Sequence, residues 1–152
     1  MAETLGSLCD KLTIVKLKQY HSDDLAKTES LQVQERQLSG EIDAFLSGAI
    51  SGEIAPDKLT FRANKVYKKR GNELGVLKSD ALGSVFAELA KVNCDLWHEQ
   101  EKVYEFETVP VAQKDQVVKQ LALLNLKRNQ CIDAIDQALV RIVQSKGGHH
   151  VS

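Results

Sequence analysis

Proline occurs twice and glycine nine times in 152 residues, so little interrupts the chain and long helices are favoured. An excess of charge of one sign is lacking too. Lys and Arg number 20 against 21 Asp and Glu, a formal net charge of −1. That balance offers no global attraction to nucleic acid or an anionic membrane, so nucleic acid is not an expected partner. No apolar run approaches the roughly 20 residues of a spanning helix, and no membrane span is expected. The opening stretch, Met1 to Lys11, has no basic region followed by an apolar one, the pattern of a signal peptide. Cysteine occurs only at Cys9, Cys94 and Cys131. An odd number without C-x-x-C spacing argues against a disulfide framework or a zinc knuckle, and buried free thiols in a reducing cytoplasm are the expected reading. A Gly-rich phosphate loop, a G-x-S-x-G elbow and an H-E-x-x-H helix are all absent. Nucleophilic catalysis therefore has no candidate, and enzymatic activity is left open.

What is there is a chain 43% hydrophobic and 27% charged, ordinary for a globular protein. Its length suits one domain, taken as residues 1–148, with 149–152 as a mobile tail. Two stretches repeat one another without a gap, Leu5 to Asp24 and Leu82 to Glu101. Leu5-Gly6-Ser7 falls on Leu82-Gly83-Ser84, Leu8 on Val85, Leu12 on Leu89 and Val15 on Val92. Tyr20 falls on Trp97, His21 on His98 and Asp24 on Glu101. An internal duplication into two helical hairpins is expected, with the first and third helices brought close together.

Apolar residues at three-four spacing place four helices. The first is expected from about Glu3 to Lys27 on Leu5, Leu8, Leu12 and Val15, with Ile14, Leu17, Tyr20, His21 and Leu25 widening the stripe. The next apolar series, Leu31, Leu38, Ile42 and Phe45, is out of phase with it, so a break is expected at Thr28 to Ser30. A second helix from Ser30 to Leu46 would be closed by Gly48 and Gly52. Pro56 suits a first helical position. Leu59, Ala63, Val66 and Tyr67 suggest a short helix ending near Gly71, whose basic run Lys65, Lys68, Lys69 and Arg70 reads as a solvated connector rather than a polyanion grip. Ser79 and Asp80 look like a helix start, and Leu82, Val85, Leu89, Val92, Leu96 and Val103 carry the third helix to about Glu105. The fourth, Val111 to Ser145, has its seam on Val117, Leu121, Leu124, Arg128, Cys131, Ile135, Ala138 and Ile142, with Gly147 and Gly148 ending it. The fold class is all-α, a four-helix-bundle-like arrangement of two duplicated hairpins with an irregular basic connector.

Three constellations are candidate sites. His21 with Asp24 and His98 with Glu101 set an imidazole three residues before a carboxylate on one helix face. If the two helices face each other, His21, His98 and Glu101 could hold a divalent metal; the plainer reading is a duplicated polar pair, so no cofactor is expected and a metal is the alternative. Arg128, with Asn125 and Asn129, sits on an apolar seam and must find a carboxylate. Asp24, Asp95, Glu99 and Glu101 are the candidates, Glu101 or another acid of the third helix foremost. The arginine either fixes helix register or holds an anionic ligand. Trp97, beside His98, either walls a pocket or fills core.

Asp10-Lys11-Leu12-Thr13-Ile14 with Lys18 resembles the opening of certain small bacterial helical proteins grouped as domains of unknown function. Val92-Asn93, Leu96-Trp97-His98 and Glu101 resemble their central motif. Leu124-Asn125, Arg128-Asn129, Ile132 and Ile135-Asp136 are similar to a C-terminal motif of a related group. The resemblance implies an α-helical bacterial cytoplasmic protein and carries no activity with it. The expected function is a non-enzymatic helical binding or assembly module, homo-oligomeric through the fourth helix, with an unidentified protein or small-molecule partner. The alternative is a metal- or small-ligand-binding protein with its polar site between the first, third and fourth helices, on His21, Asp24, Trp97, His98, Glu101, Asn125 and Arg128.

Overall fold

The computed structural model describes residues 3–61 and 81–151, with side chains through Ser145. Four helices follow one another: α1 (Leu5–His21), α2 (Leu25–Ser51), α3 (Leu82–Tyr104) and α4 (Val111–Val151), with 3-10 turns at Pro56–Lys58 and Phe106–Thr108. No strand occurs among the described residues, and the packing is that of an all-α bundle. The expected helix ending near Gly71, with its basic run, lies outside the described residues, as do Ser79 and Asp80.

Local chemistry sets the helix ends. A capping box starts α1: Thr4 Oγ1 accepts the Ser7 N–H at 3.3 Å and Ser7 Oγ accepts the Thr4 N–H at 2.8 Å. The break after α1 comes at Ser22 to Asp24, earlier than the change of apolar phase suggests. Asp24 adopts extended backbone, and its carboxylate accepts the N–H groups of Ala26 and Lys27 at 2.9 and 3.4 Å. That cap starts α2, and Thr28 and Ser30 lie inside the helix. Tyr20, His21 and Leu25, read as part of the buried stripe, are exposed as a result. At the other end α2 passes Gly48 and stops at Gly52, whose φ of 86° needs a residue without Cβ. Gly48 is buried beneath the Ile54 side chain, and the Ile54 backbone N–H donates to the Gly48 carbonyl at 3.0 Å. Pro56 takes the first position of its 3-10 turn.

The start of α3 is Leu82, after Ala81, with no side-chain cap. The 41 residues of α4 continue through Gly147 and Gly148, which do not end the helix, and His149 and His150 lie in its last turns.

The core joins Leu5 and Cys9 of α1, Val85, Leu89 and Val92 of α3, and Leu124, Cys131, Ile135 and Leu139 of α4, with Ala49 and Leu59. α1 packs against each of the other three helices, while α2 packs mainly on α1. The α4 seam is buried at Val117, Leu124, Cys131, Ile135 and Ala138, but Ile142 is exposed and burial passes to Asp136 and Leu139. The reason is the length of α3: Ala81 and Leu82 already lie beside Ala138 and Ile142.

Residues paired by the repeat share some environments and not others. Leu8 and Val85 are both core, as are Val15 and Val92. Gly6 is pressed against α4, whereas Gly83 has open space where a Cβ would stand. Asp24 caps a helix, and Glu101 lies inside one.

Candidate functional site

Three helices meet at a buried polar cluster. Asp10 points inward from α1, its side chain 5% exposed. Arg128 reaches it from α4, with Nε donating to Oδ1 at 2.8 Å and Nη2 to Oδ2 at 2.5 Å, a bidentate pairing. From α3, Asn93 Nδ2 donates to Asp10 Oδ1 at 2.9 Å and to Thr13 Oγ1 at 2.6 Å. The Thr13 hydroxyl donates in turn to the Asp10 carbonyl at 2.7 Å. Asn93 is fully buried, and its Oδ1 has no partner among the described residues. The Asp10 carboxylate holds the Arg128 proton more tightly than usual, outweighing the opposing effect of burial.

The expectation that Arg128 pairs with Asp24, Asp95, Glu99 or Glu101 is therefore corrected: its partner is Asp10. Of the acids named, Asp95 pairs with Lys91 and Glu99 with Lys102, each along α3 itself, while Glu101 stands beside His98. Asp10 carried a signal that apolar periodicity passes over. Gly6, Asp10 and Thr13 recur at helical spacing as a second, small and polar stripe. That stripe faces α4 at Gly6 and Asp10 and α3 at Asp10 and Thr13. The N–H of Gly6, one of those a helix start leaves unpaired, donates to Asp136 Oδ1 at 2.7 Å. A Cβ on Gly6 would overlap the Ile132 carbonyl oxygen.

Beside the cluster runs a groove between α1 and α2. One cavity of about 420 Å³ is lined by Lys11, Ile14, Val15 and Lys18 of α1, Gln34, Gln37, Leu38 and Glu41 of α2, and the Asp10–Arg128 pair. A second, of about 370 Å³, continues toward the end of α1 between Lys18, His21, Ser22, Lys27, Ser30, Leu31, Gln34 and Trp97. Lys18 and Gln34 belong to both, so the two adjoin. Lys11 pairs with Glu3, and Lys16, outside the groove, with Glu35.

Of the residues singled out by sequence, His21, Trp97 and His98 come together. The His21 ring stacks on Trp97, centroids 4.7 Å apart and 8° from parallel, and meets His98 edge-on at 6.4 Å. Trp97 is half-buried and walls the second cavity. Asp24 serves as the α2 cap and is not the partner of His21. His98 Nδ1 and Glu101 Oε1 are 3.6 Å apart on an exposed face, beyond hydrogen-bond length. Asn125 is exposed and bonds back to the Leu121 carbonyl of its own helix at 3.1 Å, and Asn129 is exposed too. Among the described residues no group of three or more His, Cys, Asp or Glu side chains could hold a metal ion, so His21, His98 and Glu101 do not make one.

The cysteines are free, Cys9 and Cys131 buried and Cys94 half-buried. Burial pushes both buried thiols up to about 11, aided at Cys9 by the negative charge of Asp136 and Asp10. Neither is a nucleophile near neutral pH. No described helix is long and apolar enough to cross a membrane.

No family model, curated protein or solved structure matches the chain.

Proposed function

We propose that the protein is a non-enzymatic helical binding module whose ligand lies in the groove between α1 and α2, held by Arg128. One observation carries this reading. Arg128 has five N–H donors, and Asp10 takes two of them. The side chain stays 35% exposed on the groove, although its partner is buried. A guanidinium locked by a carboxylate behind it, with donors left over in front, is pre-organised for an anionic or carbonyl oxygen. The three stretches on which the resemblance to small bacterial helical proteins rests supply Asp10 and Thr13, Asn93, and Arg128. That likeness and this site stand on the same residues. Three free thiols suit a reducing compartment.

The test is thermal stabilisation by small carboxylates and phosphates in wild type and Arg128→Lys. Lysine keeps the charge but loses the planar fork. The reading requires a ligand-dependent rise in Tm that the variant lacks. A rise of equal size in both would refute it.

Self-assembly through α4 is a second reading. Val111 and Val118, one heptad apart on α4, are exposed large apolar side chains. Light scattering of wild type and Val118→Glu tests it: assembly by this face requires a wild-type oligomer that the variant breaks.

A further inference from the structure

We infer that the far end of the groove is a phosphomonoester site, with Lys18 and Lys27 binding the phosphate and Trp97 walling the ring compound that carries it. This rests on the reading of the groove as a binding site and names the ligand class. The lining of this cavity contains two lysines and no carboxylate. Neither lysine makes an ion pair among the described residues. The acids nearest Lys27 in sequence are Glu29 and Asp24; neither pairs with it among the described residues, and Asp24 is occupied by the N–H groups of Ala26 and Lys27. Two unneutralised ammonium groups on one cavity match the nearly dianionic charge of a phosphomonoester at neutral pH. The Ser30 hydroxyl accepts from Gln34 at 3.4 Å, which leaves its own O–H to donate.

The rest of the wall is not polar. Leu31 is buried beneath it, and Trp97, backed by the stacked His21 ring, offers flat apolar surface. Inorganic phosphate would leave that surface uncovered, whereas a sugar or base would pack on it. The volume of about 370 Å³ lies within the roughly 300–1,000 Å³ of small-molecule sites. Lys18 also lines the Arg128 cavity, so a ligand with a second oxygen-rich group would span both.

Trp97 is the only tryptophan of the chain, which makes its fluorescence a direct report on this cavity. The full chain is titrated with adenosine monophosphate, glucose 6-phosphate and inorganic phosphate. The expected result is a saturable change in Trp97 emission with one or both of the organic phosphates, and much weaker binding of inorganic phosphate. Lys18→Gln and Lys27→Gln each weaken the binding about ten-fold, and Lys119→Gln, on the exposed face of α4, leaves it unchanged. Circular dichroism confirms that the variants remain folded. Adenosine monophosphate responding alone assigns the body to a base, and glucose 6-phosphate alone to a sugar. The inference is overturned if no organic phosphate gives a saturable change, or if the change survives both lysine substitutions. A silent Trp97 with Arg128-dependent thermal stabilisation sinks this inference and spares the broader reading. Lysine-dependent binding untouched by Arg128→Lys does the reverse.

Discussion

The Asp10–Arg128 pair permits a sharp energetic test because its two ends differ in exposure. The Asp10 side chain is 5% exposed and that of Arg128 is 35%. Arg128→Met preserves much of the volume but leaves the Asp10 carboxylate inside the bundle with a single Asn93 N–H. Removing one partner of a fully buried pair costs about 3–5 kcal/mol. Here the groove lets water approach from the Arg128 side, which places the loss near the lower end, about 3 kcal/mol. For a domain of this size that corresponds to a fall in Tm of roughly 6–12 °C. Asp10→Asn costs less, about 1–2 kcal/mol, because the guanidinium can turn its charge to the groove. The new amide cannot satisfy both donors of Arg128, since its own NH2 would face one of them. In the double variant the unpaired charge and the clash of donors both vanish. Its loss should fall short of the sum of the single losses by about 1 kcal/mol or more. Urea melts of the four proteins measure the cycle. Additive losses, or an Arg128→Met melt equal to wild type, would refute the pairing as a buried one.

Two further outcomes follow from other parts of the bundle. Gly6→Ala should destabilise by about 2 kcal/mol or more through overlap with the Ile132 carbonyl, whereas Gly83→Ala, with open space at its Cβ, should be neutral or gain up to about 1 kcal/mol of helix propensity; paired denaturant melts check both. Raising the pH through the alkaline range should weaken the fold, because Cys9 and Cys131 ionise near 9.0 in the unfolded chain and near 11 in the folded one. The native state then holds more protons than the unfolded state, so this stability is complete below about pH 9 and lost as pH rises through about 11. Cys9→Ser and Cys131→Ser, followed by melts between these pH values, should flatten that fall.

Apolar spacing located the seams of all four helices because burial of one face repeats along the chain. It could not locate the α1–α2 break, since the new start is decided by a single carboxylate: Asp24 caps α2 regardless of the phase of Leu31, after α1 has ended at His21. Arg128 was legible as a charge needing a partner, from its place among Leu124, Cys131 and Ile135. Its partner was not, because Asp10 lies 118 residues away and no local pattern links the two. Asn93 shares the Leu89 and Val92 face at i+4 spacing, but its role was not legible for a similar reason: its partners Asp10 and Thr13 lie 83 and 80 residues away, across a crossing with α1 that periodicity does not reveal. Ile142 shows the opposite failure, an apolar seam position left exposed where the neighbouring helix begins.

The buried polar bonds of α1 join points 83, 118 and 130 residues apart in the chain. In kinetic terms, α1 is the helix that has to wait. The short connection between α3 and α4 lets that hairpin zip by local steps, whereas each bond of α1 needs a long loop to close first. The transition state should then contain the α3–α4 seam, with high φ at Leu89 and Ile135, while Asp10 and Gly6 give φ near zero. Substitutions at Asp10 would hasten unfolding and leave the folding rate almost untouched. Because α2 packs mainly on α1, the two leave α3 and α4 together, and their groove parts from Trp97 and Arg128 as the first step of coming apart.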